Sequence, residues 1–264
     1  MSKRVLSVIL FSLALGCVAR LTSVNATTGP TRLLRTPTVS ATHIAFAYAN
    51  NIWTVERAGG TARRITSFQG QTSNPHFSPD GKWLAFAGTL YGTPERSFDQ
   101  TDLFVAPVDG TAAPRNLTAT YDFDIGGSVG GDQRAPRGGG SAGPIWTADG
   151  KAIVTVAGER GNGNLVRIDV ASAAVSPVYA ASHTVQSYTA SRDASRLVAV
   201  TSTQTNVNDL FVLDTAAGGA SATQITRVND ALFSQLTLSE PEALSWTSFD
   251  GQKIEGWLMH PPNF

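Results

Sequence analysis

Ser128 has the sequence surroundings closest to those of a reaction centre. It stands in Gly126-Gly127-Ser128-Val129-Gly130-Gly131, which fits the Gly-x-Ser-x-Gly-Gly pattern of a nucleophile elbow. Such an elbow holds a serine on a sharp strand-to-helix turn beside an oxyanion hole, ready for acyl transfer. It needs a buried strand before the serine and a helix after it. Before Ser128 stands Tyr121-Asp122-Phe123-Asp124-Ile125, with two charges in five residues. After it come Asp132, Pro136 and four further glycines, a composition that does not make a helix. A triad also needs an acid and then a histidine downstream, and only His183 and His260 follow, each in or next to strand-like sequence. Local context therefore argues for a loop, and no catalytic residue is assigned. Eight glycines among residues 119–143 fit an inter-blade loop. Substrate contact by Asp132, Arg134 or Arg137 at the mouth of the fold is the alternative reading of the stretch.

The remaining reactive side chains are sparse. His43 has no second histidine or carboxylate at metal-ligand spacing and reads as a structural histidine, so no metal and no cofactor is expected. Cys17 is the only cysteine. Leu13-Ala14-Leu15-Gly16-Cys17 is a poor lipobox because Leu15 is bulky, so a lipid anchor there is disfavoured. Arg192 and Asp193 read as a solvated turn.

The elements that must position these residues repeat along the chain. Asn74 to Gly88 contains Phe77-Ser78-Pro79-Asp80-Gly81-Lys82, a turn between two strands. Proline pre-sets φ, Asp80 bonds its own backbone two residues on, and Gly81 accepts positive φ. The turn recurs as Trp146-Thr147-Ala148-Asp149-Gly150-Lys151 and, in degenerate form, as Ala190-Ser191-Arg192-Asp193-Ala194-Ser195. A second unit follows each copy: Asp102-Leu103-Phe104-Val105, Asn164-Leu165-Val166-Arg167 and Asp209-Leu210-Phe211-Val212. A third unit is Arg64-Ile65-Thr66, Asn116-Leu117-Thr118 and Gln224-Ile225-Thr226. Several short strands in fixed order, repeated every forty residues or so, are the sequence form of a β-propeller blade.

The Phe-Ser-Pro-Asp-Gly-Lys form at 77–82 resembles the propeller repeat shared by TolB, the tricorn protease and prolyl oligopeptidase-type (S9) serine peptidases. The last stretch narrows this. Ser248-Phe249-Asp250-Gly251-Gln252-Lys253-Ile254-Glu255-Gly256-Trp257-Leu258, followed by Pro261-Pro262, resembles the passage by which the acylaminoacyl-peptidase branch leaves its propeller for an α/β-hydrolase domain. The resemblance covers residues 36–264. It implies an all-β fold, a β-propeller of four-stranded blades that usually number about seven; the chain shows about four to five modules, so the propeller is expected to be incomplete, ending in the first strands of a truncated hydrolase domain. The implied triad lies beyond Phe264, so none of it falls on a residue of this sequence. The implied function is that of a non-catalytic propeller portion of an exported serine peptidase, gating short peptides toward the hydrolase domain. The alternative is a stand-alone exported TolB-like propeller serving as a protein-binding scaffold, with a partner on a propeller face.

Composition sets the outer bounds. The 264 residues carry 20 basic and 20 acidic side chains, so no electrostatic case exists for nucleic acid or an anionic membrane surface. With 25 glycines and 13 prolines, turns are plentiful. Residues 1–26 read as a signal peptide: Lys3 and Arg4, an apolar run from Val5 to Leu15 too short to span a bilayer, and Val24-Asn25-Ala26 before the cleavage point. The expected location is periplasmic or secreted. The expected domains are residues 27–240 as propeller, with modules near 36–66, 74–118, 144–182 and 187–226, and 241–264 as linker and start of the hydrolase domain.

Overall fold

A computed structural model describes residues 33–127, 143–191, 193–214 and 221–263. The expected signal peptide with Cys17, together with Ser128, Asp132, Arg134, Arg137 and Arg192, lies outside the described residues. The compact unit that begins at Leu34 is almost entirely strand.

The first blade is β1 (Arg35–Val39), β2 (His43–Tyr48), β3 (Asn51–Glu56) and β4 (Arg63–Arg64), each antiparallel to the one before it. The second repeats the order with β5 (Gly70–Phe77), β6 (Trp83–Leu90), β7 (Thr101–Pro107) and β8 (Arg115–Asn116). The third is built on β11 (Ala152–Glu159), β12 (Asn162–Asp169) and β13 (Val175–Tyr179). Its innermost strand is split: β9 (Asp124–Ile125) and β10 (Ile145–Trp146) both pair with β11, opposite its two ends. These two strands flank the glycine-rich stretch in sequence and belong to one blade, so residues 119–143 are not simply a connection between blades. The fourth blade is β14 (Thr184–Ala190), β15 (Arg196–Ser202), β16 (Asp209–Asp214) and β17 (Ser221–Gln224). One parallel pair, Gly163 with Thr184, joins it to the third blade. A four-residue helix, α1 (Asp230–Phe233), leads to a separate hairpin, β18 (Glu242–Thr247) and β19 (Lys253–Leu258).

Alternation along each strand sends successive side chains to opposite faces, and both faces of an inner blade are apolar. On β6, Leu84 and Phe86 pack toward the first blade with Ile52, Ile65 and Phe104, while Ala85 packs toward the third with Leu103, Val105 and Leu117. On β11, Ile153 joins that second core, and Val154 and Val156 form the next one with Leu165, Leu197 and Leu213. Three cores thus lie in three seams between consecutive blades. Among the described residues no core joins the fourth blade to the first.

Two polar devices recur within the blades. In the turn between the first and second strands, Ser78 Oγ donates to Asp80 Oδ1 at 2.6 Å and the Lys82 amide donates to the same oxygen at 3.1 Å. Thr147 and Lys151 do the same to Asp149, and Ser191 and Ser195 to Asp193. These donors hold all three carboxyls below their ordinary range, that of Asp193 at about 2. Gly81 has φ +71°, and Ala194 is forced to +54° at the matching place. The second device ties the third strand to the segment after the fourth. Thr118 Oγ1 donates to Asp102 at 2.8 Å and accepts the Leu103 amide; Thr226 does so with Asp209 and Leu210, and Thr66 with Asn51 and Ile52. This explains why the third sequence unit ends in threonine each time.

Candidate functional site

A cleft of about 520 Å³ opens where the β11–β12 and β15–β16 connections approach the hairpin. Its size falls in the range of ordinary ligand sites. Each wall follows from local chemistry. The turn Arg160-Gly161 reverses the third blade with φ of +46° and +75°. Gly161 lies under the indole of Trp257, where an added Cβ would meet the ring at 2.3 Å. Arg160 Nη1 reaches Glu255 Oε1 at 3.3 Å, a largely exposed pair that orients the hairpin more than it stabilises it. The opposite wall comes from the connection into the fourth blade. There the Gly163 amide donates to the His183 carbonyl at 2.9 Å, and the His183 ring lies on Tyr179 with centroids 4.1 Å apart. His183 is buried and its Nε2 has no partner among the described residues. Burial pushes its pKa down while a bond to the Tyr179 carbonyl pulls it up; the net shift is downward, so the ring is neutral at neutral pH.

The charges around the cleft balance. Arg160 and Lys253 face Glu240 and Glu255, and Gln186 and Gln204 add amide donors and acceptors. Glu240 accepts from Thr205 Oγ1 at 2.9 Å. Such a lining suits a neutral or zwitterionic polar ligand and gives no purchase to a polyanion. Among the described residues no group of His, Cys, Asp and Glu could hold a metal ion, and no helix is long and apolar enough to cross a membrane.

The hairpin has two unlike faces. Strand register places Ala243, Ser245, Glu255 and Trp257 on one face and Leu244, Trp246, Ile254 and Leu258 on the other. The first lines the cleft, apart from the edge of Leu244, which reaches it too. On the second face Leu244, Trp246, Ile254 and Leu258 are 39%, 53%, 37% and 41% exposed.

The histidines that the sequence singles out are His43, His183 and His260. His43 opens β2, where Nδ1 lies 2.9 Å from Thr42 Oγ1. His183 and His260 fall just before β14 and just after β19. The cleft brings His183 together with Arg160, Glu255 and Trp257, a grouping missed because the 158–164 stretch reads only as a tight turn. The one available signal was a glycine, Gly161, facing a terminal tryptophan hairpin, and nothing in the sequence pairs the two.

Blades of four antiparallel strands, stacked through apolar seams and carrying a polar cleft at one end, define a β-propeller. Residues 31–209 match the family described as the tricorn protease N-terminal β-propeller domain, and the chain belongs to that family. The Bacillus subtilis (strain 168) protein described as "Uncharacterized peptidase YuxL" is 24% identical over 262 residues, covering 81% of this chain and 39% of that protein. Tricorn protease homolog 1 of Streptomyces coelicolor is 30% identical over 120 residues, 46% of this chain and 9% of that one. The chain therefore spans well under half the length of these relatives. Among solved structures, the acylaminoacyl peptidase of Pyrococcus horikoshii superposes with a TM-score of 0.56 at 16% identity, covering 85% of this chain and 32% of that one. An acylaminoacyl peptidase bound to Z-Gly-Gly-Phe-chloromethyl ketone gives 0.57 at 15%, with the same coverage. At that identity the likeness establishes the fold alone, a β-propeller.

Proposed function

We propose that this chain is the propeller portion of an exported serine peptidase and that it admits short peptides to a hydrolase domain entered through residues 241–264. The observation that carries the reading is the hairpin. Its inner face closes a polar, charge-balanced cleft, and its outer face presents Leu244, Trp246, Ile254 and Leu258 to solvent. An apolar strand face of this kind is stable when a further layer covers it, and the hydrolase domain supplies that layer. A short peptide fits the cleft chemistry: backbone amides meet Gln186 and Gln204, and opposite termini meet Lys253 and Glu240. Selection is by size and by the cost of leaving the charged termini of the peptide unpaired. Acyl transfer then takes place on a serine of the hydrolase domain, so the propeller binds and orients without reacting. The similarity to proteins described as peptidases supports the substrate class.

A serine-directed fluorophosphonate probe tests this. The 264-residue chain should stay unlabelled, while protein expressed from the whole reading frame should be labelled and should cleave short peptides but not folded proteins. Labelling of Ser128 in the 264-residue chain would overturn the assignment of a non-catalytic propeller.

A further inference from the structure

Comparing the four blades position by position shows what each face expects to touch. The face turned toward the following blade carries Ala45, Ile52 and Ile65 in the first blade, and Ala85, Leu103, Val105 and Leu117 in the second. In the third it carries Val154, Val156 and Leu165. The matching side chains in the fourth are Val198, Val200, Leu210, Val212 and Ile225, and among the described residues no following blade packs on them. Ile65 and Leu117 are 8% and 1% exposed, whereas Ile225 in the same unit is 54% exposed. The four others are only half-buried. The face turned toward the preceding blade tells the complementary story. Trp146 is 8% exposed and Phe77 packs into the first seam, whereas Val39 at the equivalent place in the first blade is 60% exposed. Ile44, Trp53 and Val55 beside it are half-buried.

We infer that these two faces are the two halves of one seam, formed between two copies of the chain. The fourth blade of one copy covers the first blade of the other, and the reverse contact closes the ring at eight blades, within the usual range of about four to eight. The occupant follows from the pattern. The bare face of the fourth blade is aliphatic, like the surface that Ala45, Ile52 and Ile65 offer to Phe86 and Phe104 in the first seam. The bare face of the first blade supplies the aromatic counterpart, Trp53. A head-to-tail contact repeated twice closes without leaving an open sheet face. This inference does not depend on the peptidase reading, because it uses only the blades.

Sedimentation equilibrium of the 264-residue chain across a dilution series tests it. The expected mass is twice that of one chain. Val39→Glu and Ile225→Glu change exposed side chains, so each variant should keep the parent far-ultraviolet spectrum and run at the mass of one chain. An equimolar mixture should regain the doubled mass, because one intact seam remains. Hydrogen exchange gives an independent readout: amides of β1–β2 and β16–β17 should lose protection on dilution while those of β6–β7 do not. A single-chain mass at every concentration would overturn the inference. So would a doubled mass that survives both substitutions, or one abolished by only one of them, which would mean like faces pair.

Discussion

The second and fourth blades carry the same three sequence units and the same threonine–carboxylate tie, yet they live in different surroundings. Asn116-Leu117-Thr118 and Gln224-Ile225-Thr226 both place the threonine hydroxyl on an aspartate, Asp102 or Asp209, at 2.8 Å. Leu117 then vanishes into a seam, and Ile225 stands in solvent. The difference teaches that hydrogen bonding within a blade is set by the blade's own sequence, whereas burial is set by the neighbour.

The largest test of that distinction is a pair of truncations. Leu117→Ala should cost about 2–5 kcal/mol, the loss of buried methyl groups plus a cavity. Ile225→Ala should cost about 0.5 kcal/mol or less when measured in dilute single chains, as at other exposed sites, and more at concentrations where two copies pair. Urea denaturation of both variants reads the contrast, and equal losses would mean that the fourth blade is covered in the same way as the second.

A smaller effect should come from the tie itself. Asp209 is fully buried and accepts from Thr226, Asn206 and Gln224 side chains and the Val228 amide. Burial alone would push its carboxyl up, but these donors outweigh it and hold the pKa below the ordinary value. Asp209→Ala, which orphans several donors, should cost about 1–3 kcal/mol. The sign with pH follows from linkage. A carboxyl with a folded pKa below its unfolded one, about 3.9, stabilises fully above that value and loses the contribution as pH falls through the folded pKa. The parent should therefore lose midpoint temperature as pH drops below about 4, and Asp209→Ala should lose less over the same interval. Asp193, held at about 2, adds to that acid limb.

The smallest effect reverses sign. Ala194 sits at φ +54° where the second blade has Gly81 at +71°. Ala194→Gly should stabilise by about 1 kcal/mol, because alanine pays a steric cost in the left-handed region that glycine does not. Gly81→Ala should destabilise by a similar amount, and thermal melts of the two would show the opposite shifts.

Much of this architecture was legible in the residues. The Pro79-Asp80-Gly81 turn, its copies, and the Leu-Phe-Val strands announced four-stranded blades because turn chemistry and period-2 alternation act locally. The terminal Trp257-Leu258 strand carries the resemblance on which the peptidase proposal rests. The cleft was not legible. Trp257 against Gly161 and Arg160 against Glu255 join positions about a hundred residues apart, and no local pattern encodes their meeting. The glycine-rich stretch read as a connection because pairing of Asp124–Ile125 with the far end of β11 is a long-range event as well. Whether a face is covered is equally silent in the sequence: Ile65, Leu117 and Ile225 occupy the same unit and differ only in what lies across from them.

The most direct measurement is to read the coding DNA past the codon for Phe264 and confirm it in the transcript. The account predicts an open frame that continues through a strand, a Gly-x-Ser-x-Gly-Gly elbow and a helix, then an aspartate and a histidine. A stop codon directly after Phe264 would contradict it and leave a propeller with no hydrolase domain to serve.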